Sequence, residues 1–257
     1  MKIQKPFVIG VIHLEALPGS PGWGGDIEAV ISSAARDAEA YVNGGADAML
    51  IENFRDVPFT RGAVPPETVA AMAAVASRLR VDLPIGFNVL RNDARSGLAL
   101  CAACSGSFIR VNVHSGAMIT DQGLIQGEAF ETLRERKRLA PGVSIFADVH
   151  VKHATPLGNP TLEDSARDTL HRGLADALVV SGRGTGAEVD LDDLKRVRTA
   201  CPDATILVGS GVTMESAPKI LEQADGFLVA SSLKQDGRLE NPVDEARVRA
   251  LMDRVRS

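Results

Sequence analysis

Eight short apolar runs alternate with eight helical patterns along this chain, and the alternation restricts the folds that it can adopt. The runs are rich in aliphatic and β-branched residues with little polar alternation, which is typical of parallel strands buried on both faces. We predict strands at residues 8–13, 46–51, 84–89, 108–113, 143–149, 177–181, 205–208 and 226–230.

Helical patterns follow these strands, and several stop at glycines, as after Asn43 and Arg172. We predict helices at 27–43, 66–80, 94–104, 128–139, 162–172, 191–200, 214–223 and 242–255. Eight strand–helix units without a linker predict one α/β domain over residues 1–257, a single (β/α)8 TIM barrel. A doubly wound open sheet is the alternative, and eight units in this length favour the closed barrel.

The amino-acid composition limits the classes of partner and the cellular location that we expect for the protein. The chain is 45% hydrophobic, which is enough for a large core, but only 4% aromatic, with a net charge of −5 and no basic run, so we expect no nucleic-acid partner. The first apolar stretch is too short to span a membrane and lacks a signal-peptide cleavage pattern, so we expect a cytoplasmic protein without membrane insertion.

Cys101 and Cys104 lie in a small-residue helical pattern, which favours buried structural thiols over a redox or zinc site.

Two runs near the C-terminal end break into small residues where a helix can begin. Residues Gly209, Ser210 and Gly211 follow one run, and Ser231 and Ser232 follow the next. The loops after strands seven and eight of a (β/α)8 barrel frequently bind phosphate, because bare backbone amides and helix N-termini meet there. The sequence therefore predicts a phosphate site at these five residues, with ordinary strand-to-helix turns as the alternative.

Polar residues concentrate where the predicted strands end, and these ends converge on one mouth of a barrel. The candidate catalytic residues are His13, Glu52, Asp148, His150 and Lys152. Because alternate side chains of a strand share a face, Asp148, His150 and Lys152 are expected to point the same way. Such a line can bind a polar substrate and move its protons, whereas a buried ion pair that braces the barrel is the structural alternative.

Lys152 admits two roles. Beside Asp148 it would stay cationic and bind an enediolate or phosphate oxygen, whereas a desolvated amine would act as a base or form a Schiff base. The candidate substrate-binding residues are Asn88, Asn112, His114 and Arg183.

The mouth could instead bind a divalent metal ion, because the histidines and carboxylates at the strand ends are suitable ligands for one. The chain has neither a His-x-His after the first strand nor an H-E-x-x-H helix, so we predict no metal ligands and no cofactor.

Five segments together resemble the BtpA family, whose members include a photosystem I biogenesis protein and SgcQ-type proteins of sugar operons. The segments are 10–21, 44–54, 88–93, 147–154 and 208–212. They run from near the N-terminus past Gly211, so the resemblance covers essentially the whole chain. It implies a TIM barrel and assigns no reaction.

We therefore expect an enzyme that acts on a small phosphorylated metabolite, a sugar phosphate or a nucleotide-derived phosphate, by isomerase or lyase chemistry. Two other hypotheses stay open: a non-catalytic assembly or regulatory factor, and a divalent-metal-dependent hydrolase. Small residues on several helices would permit a homo-oligomer.

Overall fold

A closed parallel barrel forms the centre of the computed structural model, which describes residues 5–182, 184 and 188–257. The strands, in chain order, are β1 (Phe7–His13), β2 (Ala48–Glu52), β3 (Ile85–Asn88), β4 (Phe108–Val111), β5 (Ala117–Thr120), β6 (Gly123–Gln126), β7 (Ser144–Val149), β8 (Ala154–Pro156), β9 (Ala177–Val180), β10 (Ile206–Val208) and β11 (Gly226–Val229). In the described residues, eight of them close the barrel in the order β1-β2-β3-β4-β7-β9-β10-β11. The predicted (β/α)8 fold is confirmed.

The helices are α1 (Ile27–Gly44), α2 (Pro66–Arg78), α3 (Ala94–Cys104), α4 (Ala129–Leu139), α5 (Leu162–Arg167), α6 (Leu191–Ala200), α7 (Ala217–Leu221) and α8 (Glu245–Arg256). Two predicted helices differ in form from the observed ones. The pattern at 162–172 divides into α5 and a π-helical turn over Asp168–Arg172, and the pattern at 214–223 shortens to α7, which has a proline in its first turn. In the described part of the chain, no helix is long and apolar enough to cross a membrane.

A small antiparallel sheet of β6, β5 and β8 lies outside the barrel, and the sequence analysis assigned no element to it. Its strands have three or four residues each, and β5 and β6 are joined by a two-residue turn. Met118 and Ile125 pack with Val113 and Val151 beneath this sheet. Strands this short carry too few residues for a period-two pattern to stand out.

The apolar core has two layers. Inside the barrel, alternate strand residues such as Ile9, Leu50 and Val179 pack together, with Phe108 stacked on Phe146 at 4.8 Å between ring centroids. The opposite faces of the same strands pack against the helices. Because both faces of every barrel strand are covered, the strands read as continuous apolar runs.

One buried ion pair joins the C-terminal segment to α1. Lys234 Nζ lies 3.0 Å from Asp37 Oδ2, and each side chain is only 4% exposed. The other carboxylate oxygen of Asp37 accepts a hydrogen bond of 2.8 Å from the backbone amide of Val243. Asp37 therefore satisfies both a buried ammonium and a buried amide.

Replacing Asp37 with alanine should lower the free energy of unfolding by about 3–5 kcal/mol, because the ammonium of Lys234 would stay buried without its partner. Urea denaturation of the purified variant measures this loss. As the matched control, Glu245→Ala removes an exposed partner of Arg249 and should cost less than about 1 kcal/mol. An Asp37→Ala loss no larger than the control's would contradict this assignment.

Candidate active site

The register of the first three strands brings three predicted residues into one row. His13 of β1 pairs in register with Glu52 of β2, and Glu52 pairs with Asn88 of β3. Asn88 Nδ2 donates a hydrogen bond of 2.8 Å to Glu52 Oε1, and His13 Nε2 lies 3.7 Å from Glu52 Oε2. The imidazole of His13 also stacks on Phe54, with ring centroids 4.0 Å apart.

Arg110 of β4 connects this row to the other side of the barrel. Its guanidinium donates to both oxygens of Asp148 on β7, at 2.9 and 3.2 Å, and to Glu52 Oε1 at 3.4 Å. Asn112 Nδ2 donates to the same Asp148 carboxylate. The three charged side chains are between 1% and 6% exposed, so this network forms the buried floor of the barrel mouth.

Sequence reasoning missed Arg110, although a signal was present. The arginine interrupts an otherwise apolar strand, Phe108-Ile109-Arg110-Val111, and it shares a face with Phe108, which packs inside the barrel. A buried arginine requires carboxylate partners, and Glu52 and Asp148 supply them.

The network lowers the pKa of Glu52. Burial alone would raise the pKa of this carboxyl, but Arg110, His13 and the hydrogen bond from Asn88 more than offset that effect. Burial lowers the pKa of His13 to about 4, although Glu52 opposes the shift. At neutral pH the pair is therefore a carboxylate beside a neutral imidazole.

Lys152 lies beyond the end of β7 and lines the mouth. Its backbone carbonyl accepts a hydrogen bond of 2.6 Å from Arg91, but its ammonium makes no hydrogen bond or ion pair within the described residues. Burial and the charge of Arg110 lower the pKa of Lys152 to about 8, against the opposing effects of Glu52 and Asp148. Both the amine and the ammonium are therefore accessible near neutral pH.

The described base of the mouth has more cations than anions. Buried Arg91 and Arg110, with half-buried Lys152 when it is protonated, outnumber the buried carboxylates of Glu52 and Asp148. A positive excess in a low-dielectric cleft attracts anionic ligands. An anion bound there would in turn raise the pKa of Lys152.

The five residues predicted to bind phosphate do come together. Gly209, Ser210, Gly211, Ser231 and Ser232 line one small recess, which we call the glycine–serine recess. Its other lining side chains include His13, Glu52, Arg110 and Lys152. The recess therefore opens directly onto the charged floor.

Two glycines are required to shape this recess. A Cβ on Gly209 would lie 2.6 Å from Ser181 Oγ and 2.7 Å from Val179 Cγ1, both too close, and 3.2 Å from Arg110 Nη2. Gly211 has a φ of +69°, and its backbone amide donates no hydrogen bond within the described residues.

Two predicted site residues lie elsewhere. The expectation that His150 points with Asp148 and Lys152 is wrong, because β7 ends at Val149 and His150 adopts a positive φ of 52°. Its Nε2 lies 2.9 Å from Ser165 Oγ on α5. His114 is also placed away from the mouth, since its Nε2 lies 2.8 Å from the backbone oxygen of Gly173. Arg183 lies outside the described residues.

Above the floor lies the main cavity, with a volume of about 780 Å³. Glu52, Asn88, Arg110, Asn112 and Lys152 form its polar base. Asp148 does not line it and acts on the cavity through Arg110 and Asn112. No group of three or more His, Cys, Asp or Glu side chains in the described part of the chain could hold a metal ion.

Comparisons with known proteins agree with the five sequence segments noted above. The chain matches the BtpA family profile over residues 4–257. The chain belongs to the BtpA family. It is 46% identical over 248 residues to the Photosystem I biogenesis protein BtpA of Synechocystis sp., covering 96% of this chain and 86% of that protein. It is 36% identical over 253 residues to the putative sgc region protein SgcQ of Escherichia coli, covering 96% and 93%.

Among solved structures, this BtpA-family chain is similar to phosphoribosyl anthranilate isomerase from Thermus thermophilus, with a TM-score of 0.57. The alignment covers 97% of this chain and 98% of the isomerase, at 14% identity. At that identity the likeness shows the shared barrel fold.

Amine labelling with acetic anhydride at a series of pH values should give a half-maximal reactivity for Lys152 near pH 8. A lysine in an unstructured reference peptide added to the same sample is the control, with the ordinary lysine pKa of about 10.4. Peptide mass spectrometry follows both residues in one sample. Identical titration of the two lysines would contradict the desolvated state of Lys152.

Proposed function

We propose that this BtpA-family protein is an enzyme that acts on a small phosphorylated metabolite, a sugar phosphate or a nucleotide-derived phosphate. The observation that carries the proposal is the continuity of the glycine–serine recess with the buried charged floor. A phosphate in the recess would meet the amide of Gly211 and the guanidinium of Arg110. The rest of the ligand would then lie over Glu52 and Lys152.

In this proposal the phosphate neutralises the positive excess of the mouth. Gly209 lets the ligand approach bare backbone, and the neighbouring serines keep the recess polar. Ser210 Oγ accepts a hydrogen bond of 3.0 Å from the amide of Gly182, and Ser232 Oγ donates one of 2.6 Å to the carbonyl of Val212. These hydroxyls brace the two loops, so the ligand contacts assigned to the recess are mainly to the backbone.

The chemistry proposed for the floor is proton transfer through an enediolate, as in an isomerase or a lyase. Lys152, with a pKa of about 8, can act as a base or as an acid. A small change in its surroundings is enough to convert its amine to the ammonium form or back. Glu52 is the carboxylate base beside it, and neutral His13 can donate a hydrogen bond to a developing oxyanion. Asp148 is a positioning residue, because it reaches the mouth only through Arg110 and Asn112.

Asn88 and Asn112 orient the substrate in this account. Each donates one amide proton to a floor carboxylate, and neither amide oxygen accepts a hydrogen bond within the described residues. The Oδ1 atom of Asn112 is buried and has no partner within the described residues. A buried acceptor of this kind is costly unless a ligand or water satisfies it.

The second candidate is a non-catalytic assembly factor, which the 46% identity to the Synechocystis biogenesis protein supports. Such a factor would use the barrel surface and would not depend on the chemistry of Lys152. The two candidate functions therefore differ in whether they require the amine of Lys152.

Thermal unfolding in the presence of inorganic phosphate, ribose 5-phosphate, glucose 6-phosphate and adenosine 5′-monophosphate tests the phosphate site. A ligand at about a hundred times its Kd should stabilise the fold by roughly 2.7 kcal/mol. Ser231→Asp places a carboxylate in the recess and should abolish the shift, whereas Ser77→Asp on the exposed face of α2 should not. No shift with any of the four compounds, with or without Mg²⁺, would remove the support for this function.

Turnover of a phosphate ester by the unaltered protein separates an enzyme from an assembly factor, and Lys152→Met tests the role of Lys152. With a phosphate ester that passes the thermal test, turnover followed by NMR should fall by roughly 10²–10⁴-fold, because general acid–base catalysis contributes that much. Lys195→Met, on exposed α6, should leave turnover unchanged. Full turnover in Lys152→Met would exclude the assigned role of Lys152.

A further inference from the structure

The chain has few aromatic residues, yet several of them line the main cavity. It contains one tryptophan and eight phenylalanines, and three of these, Trp23, Phe54 and Phe59, line this cavity. We call these three side chains the aromatic wall. Leu90 and Leu239 extend its apolar surface. A sugar phosphate presents mainly hydroxyls and charge, so it leaves this surface without a complementary group.

The main cavity, which the aromatic wall lines, adjoins the glycine–serine recess. The side chains that line both are Glu52, Arg110, Lys152 and Leu239. A ligand with its phosphate in the recess can therefore extend over the charged floor into the main cavity. The volume of about 780 Å³ lies within the range of roughly 300–1,000 Å³ typical of sites for drug-sized ligands.

The charges around the wall select against an anionic group. Asp26, three residues after Trp23, and Glu240, directly after Leu239, also line the main cavity. Arg55, directly after Phe54, is paired with Glu15 at 2.8 Å. Arg55 also donates to the backbone oxygen of Leu239 at 3.3 Å, which occupies it further. Of the cations at the cavity base, Arg110 and Lys152 also line the recess, whereas Arg91 lines the main cavity alone. A carboxylate or second phosphate at the wall would thus face acidic side chains.

Resting on the proposed function, we infer that the substrate is a phosphate ester with a neutral, planar aromatic or heteroaromatic group, which binds against Trp23, Phe54 and Phe59. The wall supplies stacking and apolar contact, the floor binds the polar middle of the molecule, and the recess binds the phosphate. Phe54 stacks on His13, so the wall is fixed directly to the floor. This arrangement favours nucleotide-derived phosphates over plain sugar phosphates.

The single tryptophan makes the inference directly measurable, because Trp23 is the sole source of indole fluorescence in the chain. Titrations with ribose 5-phosphate and with the 5′-monophosphates of adenosine, inosine and uridine compare the same phosphate with and without a neutral base. Stacking of a base on an aromatic side chain changes the Kd by roughly five- to 150-fold. We expect at least one nucleotide to bind tenfold more tightly than ribose 5-phosphate and to change Trp23 emission.

Phe59→Ala removes one ring of the wall without touching the floor or the recess. Measured by calorimetry, it should remove most of the preference for the nucleotide and leave the Kd of ribose 5-phosphate within about twofold. Phe130→Ala is the matched control, because Phe130 is an exposed phenylalanine of α4, 61% exposed. This variant should keep the full preference.

The outcomes separate the two proposals. If ribose 5-phosphate binds and all three nucleotides bind no more tightly, the aromatic inference is overturned and the phosphate site stands. A preference for nucleotides that survives Phe59→Ala and leaves Trp23 emission unchanged also overturns it. If none of these four compounds binds, the aromatic inference is overturned, and the proposed function fails with it only when inorganic phosphate and glucose 6-phosphate also give no thermal shift.

Discussion

Arg110 crosses the inside of the barrel and pairs with carboxylates from two separate strands, and the other groups of the mouth are arranged around it. A guanidinium this deeply buried is tolerable only with its donors satisfied, which fixes the positions of Glu52 and Asp148. Asn88 and Asn112 complete the hydrogen bonding of the carboxylates. Gly209 has to lack a side chain because Ser181 and Val179 occupy the space that a Cβ would need.

This network explains why the mouth is suited to an anion. Both carboxylates are already engaged by Arg110, so Arg91 and Lys152 add positive charge that no described acid in the floor fully balances. Desolvation lowers the pKa of Lys152 to about 8, and a bound phosphate would offset the excess charge. The same electrostatic arrangement thus favours ligand binding in the recess and a lysine able to exchange protons beside it.

The periodicity of the apolar residues and the positions of the strand ends predicted the barrel and part of the candidate site. The barrel and its strand positions follow from continuous apolar runs, and Glu52, Asn88 and the recess residues follow from where those runs end. The failures have local causes. A positive φ at His150 breaks the alternation that sequence reasoning extended past Val149, and His114 bonds to the backbone oxygen of Gly173 instead of facing the mouth. Arg110 was missed because it lies within a strand. Trp23 could be recognised in its glycine-rich loop, but its place in a wall with Phe54 and Phe59 could not, because those side chains belong to the next loop, after β2.

The most direct test of the central claim is a crystal structure of the protein soaked with tungstate, an oxyanion that anomalous scattering locates without ambiguity. The account predicts a tungstate in the glycine–serine recess, within hydrogen-bonding distance of the amide of Gly211 and close to Arg110 and Lys152. An occupied oxyanion site elsewhere in the barrel, with the recess filled only by water, would contradict it.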